Sequence, residues 1–424
     1  MSQLKDMYKN VVQDAFPETI TVMFGETRLV YDRRSWNIGG EQKGLRYGEN
    51  PDQPAAMYAL SEGTPTVGGI RFRGAGQGLV SALTEEHMLQ AGKHPGKTNL
   101  TDVDNGINIL QYLAARPAAV ILKHNNPCGA AWSATSLLDA LEKAFWCDRI
   151  AAFGGAVVVN RPLDAAVAEF VNSSYFEVVA APSYTDEALA LLKQRKNLRI
   201  LAIPGLADLA SFAGVPFLDI KSLQDGGLVV QQSFINAIRS VDQFIPGTAT
   251  SEGSTVNARK PTKEEADDLL FAWAVESGVT SNSVIFAKNG ATVAIGTGEQ
   301  DRVGCVELAI HKAYGKYADV LAFKKTGLSL YELKAKAEND TEAAALLAAI
   351  EQETQEAKAG LKGSSLVSDG FFPFRDAVDV ALAQGVAAIA HPGGSMRDFD
   401  SITAANQANP QVAMVFTGQR SFRH

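Results

Sequence analysis

Short continuous apolar runs alternate with stretches of helical periodicity along most of the chain. Apolar runs of this kind are typical of strands buried on both faces, and apolar residues three and four apart are typical of helices packed on a sheet. In the first half the pattern predicts a short N-terminal helix, strands at 19–24, 118–122, 156–159, 178–181 and 198–203, helices at 104–114, 136–144 and 185–193, and loops at 41–56 and 123–129.

A change in composition at residues 244–261 predicts a surface connection between two units. Directly after it, Thr262 and Glu265 have the spacing of a capping box, which predicts a helix to about residue 276. Asn289-Gly290 then predicts a hairpin turn. The other elements predicted in this half are strands at 283–287, 292–295, 386–390 and 412–416, helical residues 329–360, and helices at 376–384 and 397–407. The pattern indicates an α/β fold with mixed sheets, in two halves of similar construction.

Composition narrows the class of protein. The chain has 424 residues, and at about 150 residues per domain it should form two or three units or one elaborate one. It has 47 acidic and 39 basic residues, a net charge of -8, which argues against a nucleic-acid-binding protein but leaves room for a local basic pocket.

Neither the cysteines nor the N-terminus indicates export. The three cysteines lie far apart with no CxxC pair, which makes a disulfide framework or a structural zinc site improbable. No apolar signal-peptide region opens the sequence, and no run of about 18 apolar residues occurs. We therefore expect a soluble, reduced, cytoplasmic protein without a membrane partner.

The segment from Lys123 to Gly129 directly follows a predicted buried strand and contains the adjacent residues Lys123 and His124, which are candidates for catalysis. A histidine accepts a proton near neutral pH, and a lysine stabilises developing negative charge or protonates a leaving nitrogen. A solvent-exposed Lys123-His124 pair is the alternative. The segment lacks a zinc-deaminase signature, because Asn126 stands where Glu is needed and Ala131 where the second Cys is needed.

Four other regions combine polar, Gly, Pro and aromatic residues between predicted strands, and each also has a plain structural explanation. Arg46-Tyr47 could hold a phosphate or be a surface turn, and residues 296–302 could bind an anion or only connect two elements. Residues 368–376 contain three phenylalanines, which could line a planar ligand or plug the core. Residues 391–395 and the tail 417–424 could face an anion, although termini are usually frayed.

These regions, in this order, resemble one family: the AICAR transformylase (phosphoribosylaminoimidazolecarboxamide formyltransferase) domain of the bifunctional purine-biosynthesis protein. The resemblance extends from about residue 45 to the end. The matching segments are residues 46–51, 123–129, 152–155, 281–284, 296–302 and 368–376, with Arg420 and His424. It implies formyl transfer from 10-formyltetrahydrofolate to the 5-amino group of AICAR, with no essential metal, on two cytidine-deaminase-like mixed-sheet units without zinc.

The resemblance also implies a role for individual residues. His124 would accept the proton of the attacking amine, and Lys123 would stabilise the transition state or assist the folate nitrogen as it leaves. Arg46 and Arg420 would hold the nucleotide phosphate. The implied AICAR site contains these two arginines and Tyr47, Gly154, Glu177, Asn282, Arg302 and Phe371, and the implied folate site contains Val303, Pro373, Asp376, Ser395 and Met396.

Further expectations concern the assembly. The resemblance implies a homodimer with sites at the subunit interface. The predicted divisions are an N-terminal extension at 1–40, a first subdomain at 41–245 and a second at 246–424. Because only about 45 residues precede Arg46, we expect a stand-alone transformylase and a separate IMP cyclohydrolase in the pathway.

Two alternative functions remain open, and four residues differ from those common in the family. The alternatives are a non-catalytic nucleotide- or folate-binding subunit, which would not need Lys123 and His124, and a metal-dependent deaminase, which the missing ligands disfavour. Asp52, Glu177, Asp301 and His391 depart from residues common in the family, which puts the affinities and the pH profile in question.

Overall fold

The computed structural model describes residues 15–424. The predicted N-terminal helix lies ahead of Thr19, mainly outside these residues. The strands, in chain order, are β1 (Thr19–Phe24), β2 (Thr27–Arg34), β3 (Trp36–Ile38), β4 (Glu41–Lys43), β5 (Met57–Glu62), β6 (Thr66–Val67), β7 (Ile70–Arg71), β8 (Met88–Gln90), β9 (Ala118–Lys123), β10 (Asn126–Trp132), β11 (Gly155–Val159), β12 (Phe176–Ala181), β13 (Arg199–Ala202), β14 (Leu218–Ser222), β15 (Leu228–Gln232), β16 (Ile245–Pro246), β17 (Thr248–Ala249), β18 (Thr255–Val256), β19 (Val284–Lys288), β20 (Ala291–Gly296), β21 (Ser365–Ser368), β22 (Ala388–His391) and β23 (Ala413–Phe416).

The helices are interspersed with these strands, as expected for an α/β protein. Those of the described residues are α1 (Lys97–Leu110), α2 (Leu137–Cys147), α3 (Arg149–Ala152), α4 (Ala165–Asn172), α5 (Asp186–Leu192), α6 (Lys263–Glu276), α7 (Arg302–Thr326), α8 (Leu330–Ala337), α9 (Thr341–Glu356), α10 (Asp376–Ala383) and α11 (Asp398–Gln407), with 3₁₀ turns at Pro204–Ser211, Val241–Gln243 and Lys358–Gly360. None of the helices in residues 15–424 is both long enough and apolar enough to cross a bilayer.

The chain divides into two compact units. Unit 1 comprises the described residues up to 115, residues 122–125 and residues 154–235, and unit 2 comprises residues 116–121, 126–153 and 236–424. This division differs from the predicted subdomains at 41–245 and 246–424, because residues 126–153 pack within unit 2 and unit 1 ends at residue 235.

Unit 1 contains a parallel set of strands flanked by helices. Strands β11, β12 and β13 run parallel, and β8 pairs antiparallel with β13. The residues of β11, β12 and β13 are almost all buried, as expected for parallel strands covered on both faces. A separate antiparallel sheet has the order β1-β2-β5, and β14 and β15 form a two-stranded hairpin.

Unit 2 contains a mixed sheet. Its strand order is β16-β23-β22-β21-β19-β20-β10, with β21, β22 and β23 parallel and β19 antiparallel to both β20 and β21. Helices α7, α10 and α11 supply apolar side chains to the core on this sheet. The predicted mixed α/β character is thus confirmed in unit 2.

Two local sequence signals correctly predicted element boundaries. Thr262 Oγ1 accepts the Glu265 N–H at 3.3 Å and Glu265 Oε2 accepts the Thr262 N–H at 2.8 Å, which completes the capping box of α6. Lys288 pairs with Ala291 across the Asn289-Gly290 turn, as predicted for the β19–β20 hairpin.

Several predicted boundaries were wrong. Helix α1 spans residues 97–110 rather than 104–114, because its first turns carry polar side chains that interrupt the apolar pattern. The predicted loop at 123–129 is a two-residue turn followed at Asn126 by β10. Strand β4 occupies part of the predicted loop at 41–56, and residues 338–340 interrupt the predicted helix at 329–360, where Asp340 caps α9.

Candidate active site

The turn between β9 and β10 carries Lys123 and His124 at a strand end. His124 has φ 53° and Asn125 has φ 61°, so both central residues occupy the left-handed region that a tight two-residue turn requires. The His124 residue is exposed and Lys123 is half-buried. The turn therefore presents an imidazole to solvent beside an ammonium partly enclosed by unit 1.

Gly154 lies against Lys123 in unit 1. It has φ 76° and donates its N–H to the Tyr175 carbonyl at 2.7 Å. A Cβ at this position would lie 3.8 Å from Lys123 Nζ. The glycine thus satisfies a left-handed backbone, and it lies in contact range of the lysine ammonium.

Glu177 is held by two partners on neighbouring elements. Arg199 of β13 lies 3.5 Å from its carboxylate, and Asn99 of α1 donates to it at 3.2 Å. The Arg199 side chain is only 6% exposed, and burial lowers the pKa of its guanidinium. The arginine is therefore a buried cation whose position depends on Glu177.

Arg46 and Tyr47 lie at the N-terminus of α1. The Arg46 N–H donates to the Pro95 carbonyl at 2.9 Å, and the Tyr47 carbonyl accepts the Lys97 N–H at 3.0 Å. The Arg46 guanidinium lies 5.4 Å from the centre of the Tyr47 ring. A Cβ on Gly96 would come within 3.1 Å of that ring, so glycine permits the close approach.

Unit 1 therefore gathers cationic groups around a helix N-terminus in a chain that is acidic overall. Arg46 and Tyr47 both interact electrostatically with Arg199, and Lys97 pairs with Glu49 at 2.5 Å. Helix N-termini with nearby cations favour anionic ligands such as phosphate. Two of these cations are already paired, Lys97 with Glu49 and Arg199 with Glu177.

A second cluster forms within unit 2 around Asp369. Arg302 forms a buried ion pair with the Asp369 carboxylate and donates to Asn282 Oδ1 at 2.9 Å. Ser281 Oγ donates to the other Asp369 oxygen at 2.5 Å. Arg302 is thus held by Asp369 and Asn282, and its fixed guanidinium positions the Asn282 amide.

The C-terminal tail packs on this cluster. The Asp369 carbonyl accepts the Ser421 N–H at 3.0 Å, and Arg420 lies 5.3 Å from the Phe371 ring centre. A Cβ on Gly370 would come within 2.5 Å of Arg302 and 2.9 Å of Phe422, so only glycine fits there. The tail is therefore ordered, and it places exposed Arg420 beside Phe371.

Residues implied for folate line a neighbouring part of unit 2. Phe372 is fully buried as a core plug, whereas Pro373 and Phe374 are exposed. The Arg397 guanidinium, which follows Ser395 and Met396 in the chain, lies 5.6 Å from the centre of the Phe374 ring. Met396 is 85% exposed, Asp376 is exposed at the start of α10, and Val303 is half-buried on α7.

Two buried ionisable groups of unit 2 have strongly altered acidity. Burial raises the pKa of Glu276 well above its usual value, with the nearby Asp369 charge adding to the effect. Burial also lowers the pKa of His391 to about 3, assisted by Arg302. The first group favours its neutral form, and the second is neutral over the physiological range.

Sequence reasoning missed several residues that organise these clusters. A charged Arg199 inside the predicted apolar strand 198–203 was the available signal, since a charge there needs a buried partner. Asp369 lay inside the segment 368–376 but was not assigned a role. Asn99 and Asp102 were missed because the start of α1 was placed too late.

Metal-binding capacity was also assessed. Within residues 15–424, no three or more His, Cys, Asp and Glu side chains are grouped so that they could hold a metal ion.

The fold and these clusters define a mixed α/β protein with an imidazole and an ammonium at a strand-end turn and with arginine side chains fixed by carboxylates in each unit. The family model described as AICARFT/IMPCHase bienzyme matches residues 6–312. The chain belongs to this family.

Curated relatives agree with the family. Bifunctional purine biosynthesis protein PurH of Ruegeria sp. (strain TM1040) is 37% identical over 404 residues, which are 95% of this chain and 63% of the relative. The proteins of the same name from Cereibacter sphaeroides (strain ATCC 17029 / ATH 2.4.9) and Magnetococcus marinus (strain ATCC BAA-1437 / JCM 17883 / MC-1) are 36% and 34% identical, over 95% and 97% of this chain and 64% and 62% of their own lengths.

The chain thus spans somewhat less than two thirds of the relatives that it matches. Their bifunctional name conflicts with the expectation of a stand-alone transformylase without cyclohydrolase activity. It equally conflicts with the expectation that a separate IMP cyclohydrolase completes the pathway.

Proposed function

We propose that this chain transfers the formyl group of 10-formyltetrahydrofolate to the 5-amino group of AICAR, giving formyl-AICAR and tetrahydrofolate. The observation that carries the proposal is the tight turn that presents exposed His124 and half-buried Lys123 together, in a chain of the AICARFT/IMPCHase family. The cationic side chains near the N-terminus of α1 in unit 1 support an anionic substrate such as a nucleotide.

His124 acts as the general base. The AICAR amine is conjugated with its ring and is a weak nucleophile, so its proton must leave as the new C–N bond forms. An imidazole in solvent contact can accept that proton near neutral pH. Catalysis of this kind contributes roughly 10²–10⁴-fold.

Lys123 acts on the developing charge. Attack on the formyl carbon places negative charge on the formyl oxygen, and an ammonium nearby stabilises it. Collapse of the tetrahedral intermediate breaks the bond to N10 of the folate, which then needs a proton. Lys123 is the proposed source of that proton.

The proposed AICAR ligands follow the family resemblance residue by residue. Arg46 and Arg420 bind the phosphate through charge-assisted hydrogen bonds, and Phe371 stacks on the planar base. The remaining contacts to AICAR come from Tyr47, Gly154, Glu177, Asn282 and Arg302. The folate lies along Val303, Pro373, Asp376, Ser395 and Met396.

We also propose that the chain is a homodimer with its sites at the subunit interface, built from cytidine-deaminase-like units without zinc. The β14–β15 hairpin supports the dimer, since Phe217, Ile220 and Leu228 are all exposed on or beside it. Two-stranded hairpins are marginally stable in water by themselves, and exposed apolar patches mark interaction surfaces. A second copy of this chain is the proposed cover.

A spectroscopic assay of tetrahydrofolate release with AICAR and 10-formyltetrahydrofolate tests the function. We expect turnover by the wild-type chain and a loss of about 10²–10⁴-fold in kcat for H124A, with AICAR affinity by calorimetry largely unchanged. The control is H311A, which removes an exposed histidine from α7 and should retain full activity.

The same assay separates the alternatives. A wild-type chain that binds AICAR but releases no tetrahydrofolate would be a non-catalytic nucleotide-binding subunit. Stoichiometric zinc in the purified protein, with deamination of a nucleobase, would instead support a deaminase.

A further inference from the structure

Helix α1 places two buried polar side chains against the turn that carries His124. Asp102 and Asn105 are three residues apart and therefore share a helix face. Asp102 Oδ1 accepts the Asn125 N–H at 2.6 Å, and Asn105 Nδ2 donates to the Asn125 carbonyl at 2.9 Å. Asp102 is 6% exposed and Asn105 is 3% exposed. One face of α1 thus holds both backbone polar groups of the residue that follows His124.

The turn needs such support. Both His124 and Asn125 have positive φ, a conformation that is disfavoured for residues with a Cβ. The two hydrogen bonds from α1 compensate for that preference and fix the direction in which the chain leaves His124. A neutral acceptor at position 102 would satisfy the Asn125 N–H equally well, so hydrogen bonding does not explain a buried carboxylate.

The carboxylate adds a charge that acts on His124. The charged groups facing Asp102 are His124 on the turn, Lys97 on α1 and Glu177 on β12. His124 and Lys97 favour the ionised carboxylate, whereas Glu177 and, above all, burial oppose it, and burial raises the pKa of Asp102 to about 6. Asp102 is therefore ionised at neutral pH and loses its charge in mildly acidic solution.

We infer that Asp102 is a positioning residue for His124, which fixes the turn together with Asn105 and stabilises the imidazolium that forms when His124 accepts the proton of the attacking amine. The inference rests on the proposed function. The proton moves from the amine to the imidazole, and Asp102 remains ionised throughout.

The first experiment compares D102N with the wild-type chain in the tetrahydrofolate-release assay between pH 5.5 and 8. Asparagine keeps an oxygen for the Asn125 N–H but removes the charge. We expect D102N to lose roughly 10- to 100-fold in kcat above pH 7, with KM for AICAR little changed. Because a growing fraction of wild-type Asp102 is itself protonated as the pH falls through about 6, the difference should be smaller at pH 5.5 than above pH 7.

Two variants serve as controls. D104N makes the same charge change two residues along α1, at an exposed position, and should match the wild type at every pH. N105A weakens the hold on the turn without changing charge, so its loss of kcat should be the same at all pH values. If D102N loses the same factor in kcat at every pH, Asp102 has only a structural role and the inference is wrong. The inference is also wrong if D102N has the activity of the wild type.

A second measurement does not depend on turnover. The Asn125 amide proton, observed by NMR, should titrate with a midpoint near pH 6 in the wild type and in D104N, because it is bonded to the Asp102 carboxylate. The titration should be absent in D102N. If the chemical shift of the Asn125 amide does not change with pH in the wild-type chain, the inference is wrong, and this result holds even if D102N does not fold. A wild-type chain that shows this titration but releases no tetrahydrofolate would defeat the proposed function alone.

Discussion

Burial acts in opposite directions on two ionisable residues of this protein. For Asp102 it favours the protonated, neutral form, and for His391 it favours the deprotonated, neutral form. His391 is fully buried in unit 2, where its Nδ1 accepts the Gly393 N–H at 3.1 Å and its ring lies 5.1 Å and 4.7 Å from the ring centres of Phe372 and Phe416. These surroundings accommodate the neutral imidazole and, within the part of the chain that the structure describes, contain no carboxylate that would stabilise the protonated, positively charged form.

Replacement of His391 by glutamine should make the protein less sensitive to acid. The folded-state pKa of about 3 lies below the ordinary value of 6.5, so the stabilising effect is complete above pH 6.5 and is lost as pH falls toward 3. The slope is at most about 1.4 kcal/mol per pH unit. Thermal unfolding at pH 7 and pH 4.5 should show a smaller decrease in Tm for H391Q than for the wild type.

The matched control for this prediction is H311Q. His311 is exposed on α7, so its replacement should leave the difference in Tm between pH 7 and pH 4.5 unchanged. An H391Q variant with the wild-type difference would show that His391 does not contribute to acid sensitivity.

At the scale of elements, glycines fix the geometry of one hairpin and weaken one helix. Gly290 has φ 70° in the β19–β20 turn, where Asp268 accepts the N–H groups of both Asn289 and Gly290. A Cβ on Gly290 would come within 2.2 Å of the Trp132 ring. Gly315 lies inside α7, and a Cβ there would meet nothing within 4 Å.

Alanine at these two positions should have opposite effects. G290A combines an unfavourable φ with a clash and should destabilise unit 2 by about 2–4 kcal/mol. G315A removes a flexible residue from the interior of α7 and should stabilise unit 2 by roughly 0.5–1 kcal/mol. Urea unfolding followed by circular dichroism measures both, and a stable G290A would mean that Trp132 can move aside.

At the scale of the whole molecule, the exposed apolar face of the β14–β15 hairpin is the surface proposed to form the dimer interface. Leu228 is 64% exposed and Val230 is 41% exposed on the same strand, and both point to the same face because they are two residues apart. In a monomer these side chains would remain in water, which costs free energy in proportion to their apolar area.

Charges on this face should dissociate the dimer. Sedimentation equilibrium should give twice the monomer mass for the wild type and a shift toward the monomer for L228D/V230D, since burying aspartates in an interface is costly. V256D changes an equally apolar residue that is 53% exposed on β18, and it should remain dimeric. A wild-type chain that sediments as a monomer would contradict the proposed assembly.

Local signals explain how much of this protein could be predicted. The capping box of α6, the Asn289-Gly290 turn and the buried strands were all correctly predicted, because each depends on residues within a few positions of one another. The resemblance to the AICAR transformylase family likewise came from short segments read in order, and family membership is confirmed. The roles of Lys123 and His124 stay predictions.

The tertiary structure alone decided which of these segments share surroundings. Glu177 contacts Arg199 and Asn99, and Asp102 accepts a hydrogen bond from the Asn125 amide. These partners are too far apart in sequence for any periodic pattern to predict. Such contacts exist only after the strands and α1 have packed, and burial then changes the charge that each group can hold. The local pattern of the chain therefore specified its elements, whereas packing determined the partners and the acidity of its ionisable groups.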